Sequence, residues 1–481
     1  MSEPPRSPRD ARRLDRLKHG SRALRDLKPR RAPTRTQNTN QNQNPTPNPN
    51  ENQNQNPNPN PNPNPNPNQN QNQNSNSNQN RAPNQNLPST SDEPSVTLSR
   101  RAVERLTQGH VWIYRSDVIA PDSLPGGEIV RLVDERGWFL GKAFYGVRSQ
   151  IAVRLLTRED EPIDEQFFSR RLERAKAMRD AIAPDPDRRR AGRLVHGEAD
   201  LLPGLIVDRY ADCLSVQTLI EATDQRREMF AALLEKLCVP RAIVERNDVK
   251  VRAHEDLPLR KGMLRGAPPG PIEYLEGEIK LVADLLEGQK TGAFLDQSEN
   301  RIEAGRYARG RALDCFTYGG AFALQLARNA RTVTAVDVSE QAAAQGRAAA
   351  ERNGATNVEF VVANAFDLLR DQSEKGERYD TIVLDPPAFA KSKASIDAAL
   401  RGYKEINLRA FHLLSPGGVL VSSSCSFHID EAMFERTVLS AANDARRGVQ
   451  VVERRGAARD HPTLLGVPET RYLKCLILRA L

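Results

Sequence analysis

RALDCFTYGGAF (Arg311–Phe322) opens the stretch of sequence that decides the fold. VTAVDV (Val333–Val338), NVEFVVANAF (Asn357–Phe366) and YDTIVLDPPAF (Tyr379–Phe389) follow it in order. Each is a short apolar run that ends beside Asp or Asn, and the segments between them carry helical spacing. Such alternation predicts parallel strands joined by crossover helices. The loops after the strand C-termini then converge on one crevice, where ligands bind in sheets of this kind.

The crevice residues follow from those strand ends. Asp314 precedes a turn in which Gly319 and Gly320, lacking side chains, would let the backbone approach a ligand closely. The turn fits neither GxGxxG nor the Walker A pattern GxxxxGK[ST], so a phosphate cradle is less expected than a ligand bearing an amino acid. Asp337 is spaced to accept ribose hydroxyls, and the Asn364 amide is suited to an adenine edge. Together they predict a nucleoside-cofactor crevice. Asp385 is followed by Pro386 and Pro387, which restrict the backbone and hold the carboxylate in the crevice; the acid is expected to act in catalysis or substrate binding and to line the cofactor site, with a structural turn as the plainer use. A later apolar run, VLVSSSCSF (Val419–Phe427), sets Cys425 at the end of another core strand, near Asp385. A thiol there is either buried filler or a nucleophile, and its position favours the nucleophile. Upstream, Gln297 in GQKTGAFLDQSENR is placed to close over a bound cofactor, with helix capping or domain docking as the plainer use.

Outward from this core, the 481-residue chain is long enough for two or three domains. Residues 1–95 read as a disordered tail, because residues 36 to 90 are almost entirely Asn, Gln and Pro and have no apolar surface to offset ordering entropy. Residues 1 to 35 carry twelve Arg and Lys against four acids, which accounts for the whole formal charge of +8. Contact with nucleic acid or ribosomes is the preferred reading of that basic segment, beside a merely solubilising one; its acids disfavour a transit signal. Residues 96–160 show three short strands, Glu128–Leu132, Trp138–Ala143 and Ile151–Leu156, and imply a small β-barrel. Arg100, Arg101, Arg105, Lys142, Arg148 and Arg154 would line one side of it or form ordinary solvated faces.

Residues 161–189 read as a helical linker whose buried stripe is Phe167, Leu172, Ala175 and Met178. Residues 190–284 read as a small α+β domain, with strand, strand, helix, strand, then a hairpin; His196, Glu198 and Asp200 form a hydrogen-bonded turn there or contact a ligand. Residues 285–481 hold the α/β domain, whose final apolar strand is expected to close the sheet edge. Five cysteines, an odd number without CxxC spacing, argue against a disulfide framework and suggest a reducing cytoplasm, with no metal-ligand set. No apolar run approaches the roughly 20 residues that span a bilayer, so no membrane partner is expected.

The ordered set FLDQ, LDCFTYGGAFAL, AVDVS, NAFDLL, LDPPAF, RGYKEIN, SPGGVLVSSSCS and HP…RYLK resembles class I S-adenosylmethionine-dependent methyltransferases that make 5-methylcytidine in 23S-type large-subunit rRNA. The resemblance covers residues 96 to 481. It implies an RNA-binding PUA domain, a small central α+β domain and a Rossmann-like methyltransferase domain, in a family that is often dimeric. It assigns the amino-acid end of S-adenosylmethionine to Phe316, Tyr318 and Gly319, the ribose to Asp337 and the adenine to Asn364, where the family commonly has Asp. Cys425 matches the family's nucleophile and Asp385 the acid of its DPP motif. Other RNA cytosine methyltransferases carry a second Cys directly after DPP, to release the adduct; here that residue is Ala388. His428 and His461 are the candidate releasing bases. A uracil C5 or purine methyltransferase, a noncatalytic RNA-binding protein and a nicotinamide oxidoreductase are the rival readings.

Overall fold

The computed structural model describes residues 93–119, 123–185, 189–390 and 392–481. The tail expected over 1–95 therefore lies, up to residue 92, outside the described residues.

The first unit is a six-stranded sheet in the order Trp112–Tyr114, Ile151–Thr157, Phe139–Tyr145, Ile129–Val133, Ser95–Leu98, Val118–Ile119. Alternation in Ile129–Val133 puts Val130 and Leu132 into a core with Val96, Leu98, Ile113 and Val153. Two of the basic residues expected on its surface are inside instead. Lys142 lies 2.8 Å from Glu93 and 3.4 Å from Asp160, and Arg154 donates to Glu255 at 2.8 Å. Buried charges need such partners, so neither belongs to an RNA-facing stripe. Arg100 and Arg148 do remain exposed.

The helix Glu165–Ile182 starts where Asp164 caps it, its carboxylate accepting from Phe167 N at 2.9 Å. Phe167, Phe168, Leu172 and Ala175 pack on a second sheet, sharing its core with Leu194, Val207, Val216 and Phe230, so the helix is a layer of that unit. Met178, expected on the buried stripe, is 36% exposed. Arg179 takes the inward position, because its guanidinium forks onto Asp200 at 2.5 and 2.8 Å and donates to Asp460 O at 2.9 Å. The second sheet runs Arg260–Arg265, Ala242–Asn247, Cys213–Thr218, Leu205–Tyr210, Ala191–His196. Arg260–Arg265 is a strand that sequence reading passed over: with Met263 and Leu264 among charged residues it shows no alternation, and it survives as an edge paired to Ala242–Asn247.

A hairpin, Pro271–Glu276 with Ile279–Asp284, joins this unit to the last one. Its Glu276 forms a buried bidentate ion pair with Arg301 of the helix Ser298–Tyr307, and Arg301 also donates to Phe294 O at 2.9 Å. Removing one partner of a buried pair strands the other charge. Arg301→Met is therefore expected to lower unfolding stability by about 3 kcal/mol, and adding Glu276→Leu to restore most of it; denaturant titration of the three proteins checks this.

The last unit is a seven-stranded sheet, whose strands we number in chain order: β1 Arg311–Cys315, β2 Thr332–Asp337, β3 Val358–Val362, β4 Tyr379–Leu384, β5 Leu414–Ser424, β6 Val449–Arg455 and β7 Lys474–Ala480. Their spatial order is β3-β2-β1-β4-β5-β7-β6. The first five are parallel, as the alternation predicts. β7 was expected at the edge but runs antiparallel between β5 and β6. Cys475, Leu476, Ile477 and Leu478 are apolar in succession and buried, which suits a strand covered on both faces and flanked on both sides. Chain order reverses between β1 and β4, the switch point at which an open α/β sheet leaves its crevice.

Candidate active site

Register sets the rim of that crevice. Cys315 pairs with Leu384 and Leu384 with Ser422. The residues that follow, Phe316 on one strand, Asp385 on the next and Cys425 on the third, are thereby drawn to one end of the sheet.

The turn after β1 is wound tightly. Phe316, Tyr318 and Gly320 have φ of 66°, 49° and 81°, and left-handed conformations at two non-glycine residues persist only where the surroundings enforce them. Here Thr317 N donates to Val336 O at 3.0 Å, Tyr318 N to Asp337 Oδ2 at 3.0 Å, and Thr317 Oγ1 to Asp314 Oδ2 at 2.5 Å. Gly320 is required twice over, by its φ and because a Cβ would meet the Phe360 ring at 2.8 Å. A Cβ at Gly319 would meet nothing within 4 Å, so that glycine leaves space at the rim. Phe316 packs edge-on to Phe366, and Tyr318 to Phe294.

Asp314, read from sequence only as a strand end, is fully buried beneath this turn, and its Oδ1 has no hydrogen-bond partner among the described residues. Burial raises its carboxyl to about 7 against the Thr317 hydroxyl, with Asp385 adding to the rise. Asp337 is half-buried at the end of β2, one oxygen on Tyr318 N and the other on Ser339 N at 3.0 Å. Asn364 is exposed and caps the helix Ala365–Glu374, its Oδ1 accepting from Phe366 N at 2.9 Å. Its Nδ2 is thereby turned toward the role of donor, whereas the sequence suggested a two-way amide.

Asp385 and Cys425 come together as expected. Cys425 Sγ lies 4.0 Å from Pro386 O, and among the five cysteines it is half-buried while Cys213, Cys238, Cys315 and Cys475 are buried. Burial, then Asp385, push its thiol up to about 11, against Lys290 and Lys474. Burial likewise raises the Asp385 carboxyl to about 6, opposed by the Gln297 amide. Residues that sequence reading missed hold the thiol's loop: Ser426 Oγ accepts from Ala390 N at 3.1 Å and lies 3.0 Å from Tyr403 OH, while Lys474 Nζ donates to Ser426 O at 2.7 Å. Phe427, directly beyond, is 55% exposed.

Gln297 differs from expectation. It is buried with both amide ends engaged, Nε2 donating to Asp385 Oδ1 at 2.8 Å and Oε1 accepting from Asn300 at 2.7 Å. The residue faces the carboxylate. Its neighbour Asp296 accepts from Tyr472 OH at 2.7 Å and Lys290 Nζ at 3.2 Å. Burial alone would raise that carboxyl, but Lys290, His461 and the Tyr472 hydroxyl hold it below the ordinary range. His461 is buried, its Nδ1 2.7 Å from Asp460 Oδ1 and its ring packed against His196. His196 itself lies in a hydrogen-bonded turn, its N–H donating to Asp200 Oδ2. The other candidate base, His428, packs its ring against Phe427.

Comparison with known proteins agrees with this architecture. A family model described as a PUA-like domain matches residues 96–158, and one described as a methyltransferase domain matches residues 308–454. A solved structure from Streptococcus mutans, described as a SAM-dependent methyltransferase, superposes with a TM-score of 0.68 at 22% identity, covering 80% of this chain and all of that one. Fold and family model together define a Rossmann-like methyltransferase preceded by a PUA-like domain. Ribosomal RNA large subunit methyltransferase I of Tolumonas auensis is 41% identical over 395 residues, covering 80% of this chain and 99% of the relative. The protein of the same name from Aeromonas hydrophila is 39% identical over 398 residues, with the same coverage. The chain belongs to the ribosomal RNA large subunit methyltransferase I family.

Proposed function

We propose that this methyltransferase forms 5-methylcytidine in large-subunit rRNA through a covalent adduct at Cys425, with S-adenosylmethionine as methyl donor, in the cytoplasm where ribosomes assemble. The observation that carries the reading is the half-buried Cys425 thiol after β5, 4.0 Å from Pro386 O and so beside Asp385, which ends β4 at the same rim. When bound, S-adenosylmethionine supplies an electrophilic methyl group. The residues fit it: the unpartnered Asp314 oxygen beneath the turn suits an ammonium group, the space at Gly319 admits the amino-acid end beside Phe316 and Tyr318, Asp337 accepts from the ribose, and Asn364 meets the adenine.

Cytosine C5 is a poor nucleophile until C6 carries a thiolate. The Cys425 proton passes to the Asp385 carboxylate, the Sγ–C6 bond forms, and the displaced electron pair moves toward N3, where the Asp385 carboxyl returns the proton. C5 is then enamine-like and able to accept methyl. Loss of the C5 proton to a base re-forms the C5–C6 double bond as Sγ leaves, and the N3 proton returns through the Asp385 carboxylate to the departing thiolate. A carboxyl with proton affinity near neutrality suits this double duty, since it must both take and give.

The target base must leave its stack to reach the thiol. Phe427 offers it, or its neighbour, an exposed ring face. Base–aromatic stacking is worth about 1–3 kcal/mol, so Phe427→Ala is expected to raise KM for RNA by about tenfold with kcat little changed; steady-state kinetics check it. The proposal as a whole is tested by incubating the protein with labelled S-adenosylmethionine and unmodified large-subunit rRNA. Labelled 5-methylcytidine is expected, and a labelled uridine or purine product would overturn the assignment.

A further inference from the structure

A chain of hydrogen bonds leads from the end of β6 to Asp385. Arg455 Nε donates to Asn300 Oδ1 at 2.8 Å. Asn300 Nδ2 donates to Gly456 O at 2.9 Å and to Gln297 Oε1 at 2.7 Å. Gln297 Nε2 then donates to Asp385 Oδ1 at 2.8 Å. Asn300 and Gln297 are 1% and 3% exposed, where a lost partner leaves a buried polar group that is costly to desolvate.

The direction of this chain is dictated at its outer end. A guanidinium only donates and a backbone carbonyl only accepts. Arg455 therefore demands the oxygen of Asn300, and Gly456 demands its nitrogen. With that amide fixed, its remaining N–H meets Gln297 and selects the Gln297 oxygen. The Gln297 nitrogen is left for Asp385. A free glutamine could turn either face to a carboxyl group; this one presents a donor. We propose that Asn300 and Arg455 are positioning residues that lock the donor face of Gln297 on Asp385 and so govern how readily that carboxyl gives and takes its proton. The proposal rests on the assignment of Asp385 as the acid–base group of the reaction.

Other titratable groups face Asp385 from every side: Asp296 in the turn Leu295–Gln297, Lys290 before it, Arg301 on the next helix, Asp314 on β1, and the thiols of Cys425 after β5 and Cys475 on β7. They are common to all the variants below. Reversing the chain tests its contribution, and the uncharged Asn300→Leu, which only releases Gln297 and should move the midpoint the same way by less, controls for the charge that an aspartate adds. Asn300→Asp keeps the acceptor for Arg455 but turns a second acceptor to Gln297, which must flip and offer its oxygen to Asp385. That oxygen is satisfied only by a protonated carboxyl.

Infrared titration of the full chain, with the Asp385→Asn protein subtracted to isolate the carboxyl band, reads the effect without substrate. The wild type is expected to titrate near 6. Asn300→Asp should move the midpoint up by about one pH unit or more. Arg455→Met should move it a smaller step in the same direction, and Arg455→Lys, still purely a donor, should keep it near the wild type. The acid limb of the methyl-transfer pH profile should move with the infrared midpoint. Should Asn300→Asp not fold, Arg455→Met still decides the matter, since its side chain is 23% exposed at the rim. Wild-type midpoints in both variants overturn the proposal. The nucleoside made by the wild type is a separate readout: a shifted midpoint with no 5-methylcytidine would keep the relay and discard the cytosine assignment.

Discussion

Cys425→Ala is expected to lower 5-methylcytidine formation by at least about 10³-fold. Without the Sγ–C6 bond, C5 keeps the electron density of an ordinary aromatic pyrimidine, and no other cysteine is open at the rim among the described residues. Cys315 lies in β1 and Cys475 in β7, both fully buried. The loss should fall on kcat. Affinity for S-adenosylhomocysteine, measured by calorimetry, should be unchanged, because the residues proposed to hold the cofactor lie at the ends of β1, β2 and β3 while Cys425 follows β5. Loss of cofactor affinity together with activity would show that the thiol supports the fold of the crevice rather than the chemistry.

Asp385→Asn should cost about 10²–10³-fold, the usual range for removing a positioned acid–base group. The substituted amide still accepts from Gln297 but neither takes the thiol proton nor returns one to N3. The pH profile adds a signature. Burial raises the folded carboxyl to about 6, so the ionised form that accepts the thiol proton is present above that value and is lost as pH falls through it. Wild-type activity should therefore fall on the acid side of about 6, and the limb should be absent from Asp385→Asn. A limb that persists in the variant would place the titrating group elsewhere, Asp314 on the neighbouring strand being another buried carboxyl of raised proton affinity.

The parts of this site that were legible in the sequence are those set by short-range pattern. Apolar runs of strand length, each ending at a polar residue, located β1 to β5 and with them Asp337, Asp385 and Cys425, since strand ends in a parallel sheet share one rim. What escaped reading depends on distant pairing. Gln297 looked like a cofactor residue because nothing local reveals a partner 88 positions away, or that Asn300 and Arg455, 155 positions apart, would orient it. Lys142 and Arg154 looked like surface charge because their partners, Glu93, Asp160 and Glu255, lie outside their own strands. The position of β7 between β5 and β6 was hidden for the same reason: an apolar terminal strand declares burial, while its neighbours are chosen by tertiary packing. Tyr403, Ser426 and Lys474, which hold the thiol's loop, belong to motifs that sequence could quote but not connect.

Cytosine carrying fluorine at C5 tests the covalent reading most directly, because fluorine cannot leave as a cation in the releasing step. The protein is incubated with S-adenosylmethionine and large-subunit rRNA substituted with 5-fluorocytidine, digested, and its peptides weighed. The account predicts a stable adduct in which the peptide containing Cys425 carries a methylated fluorocytidine. Adduct on another residue, or none from a preparation that methylates unsubstituted rRNA, would contradict it.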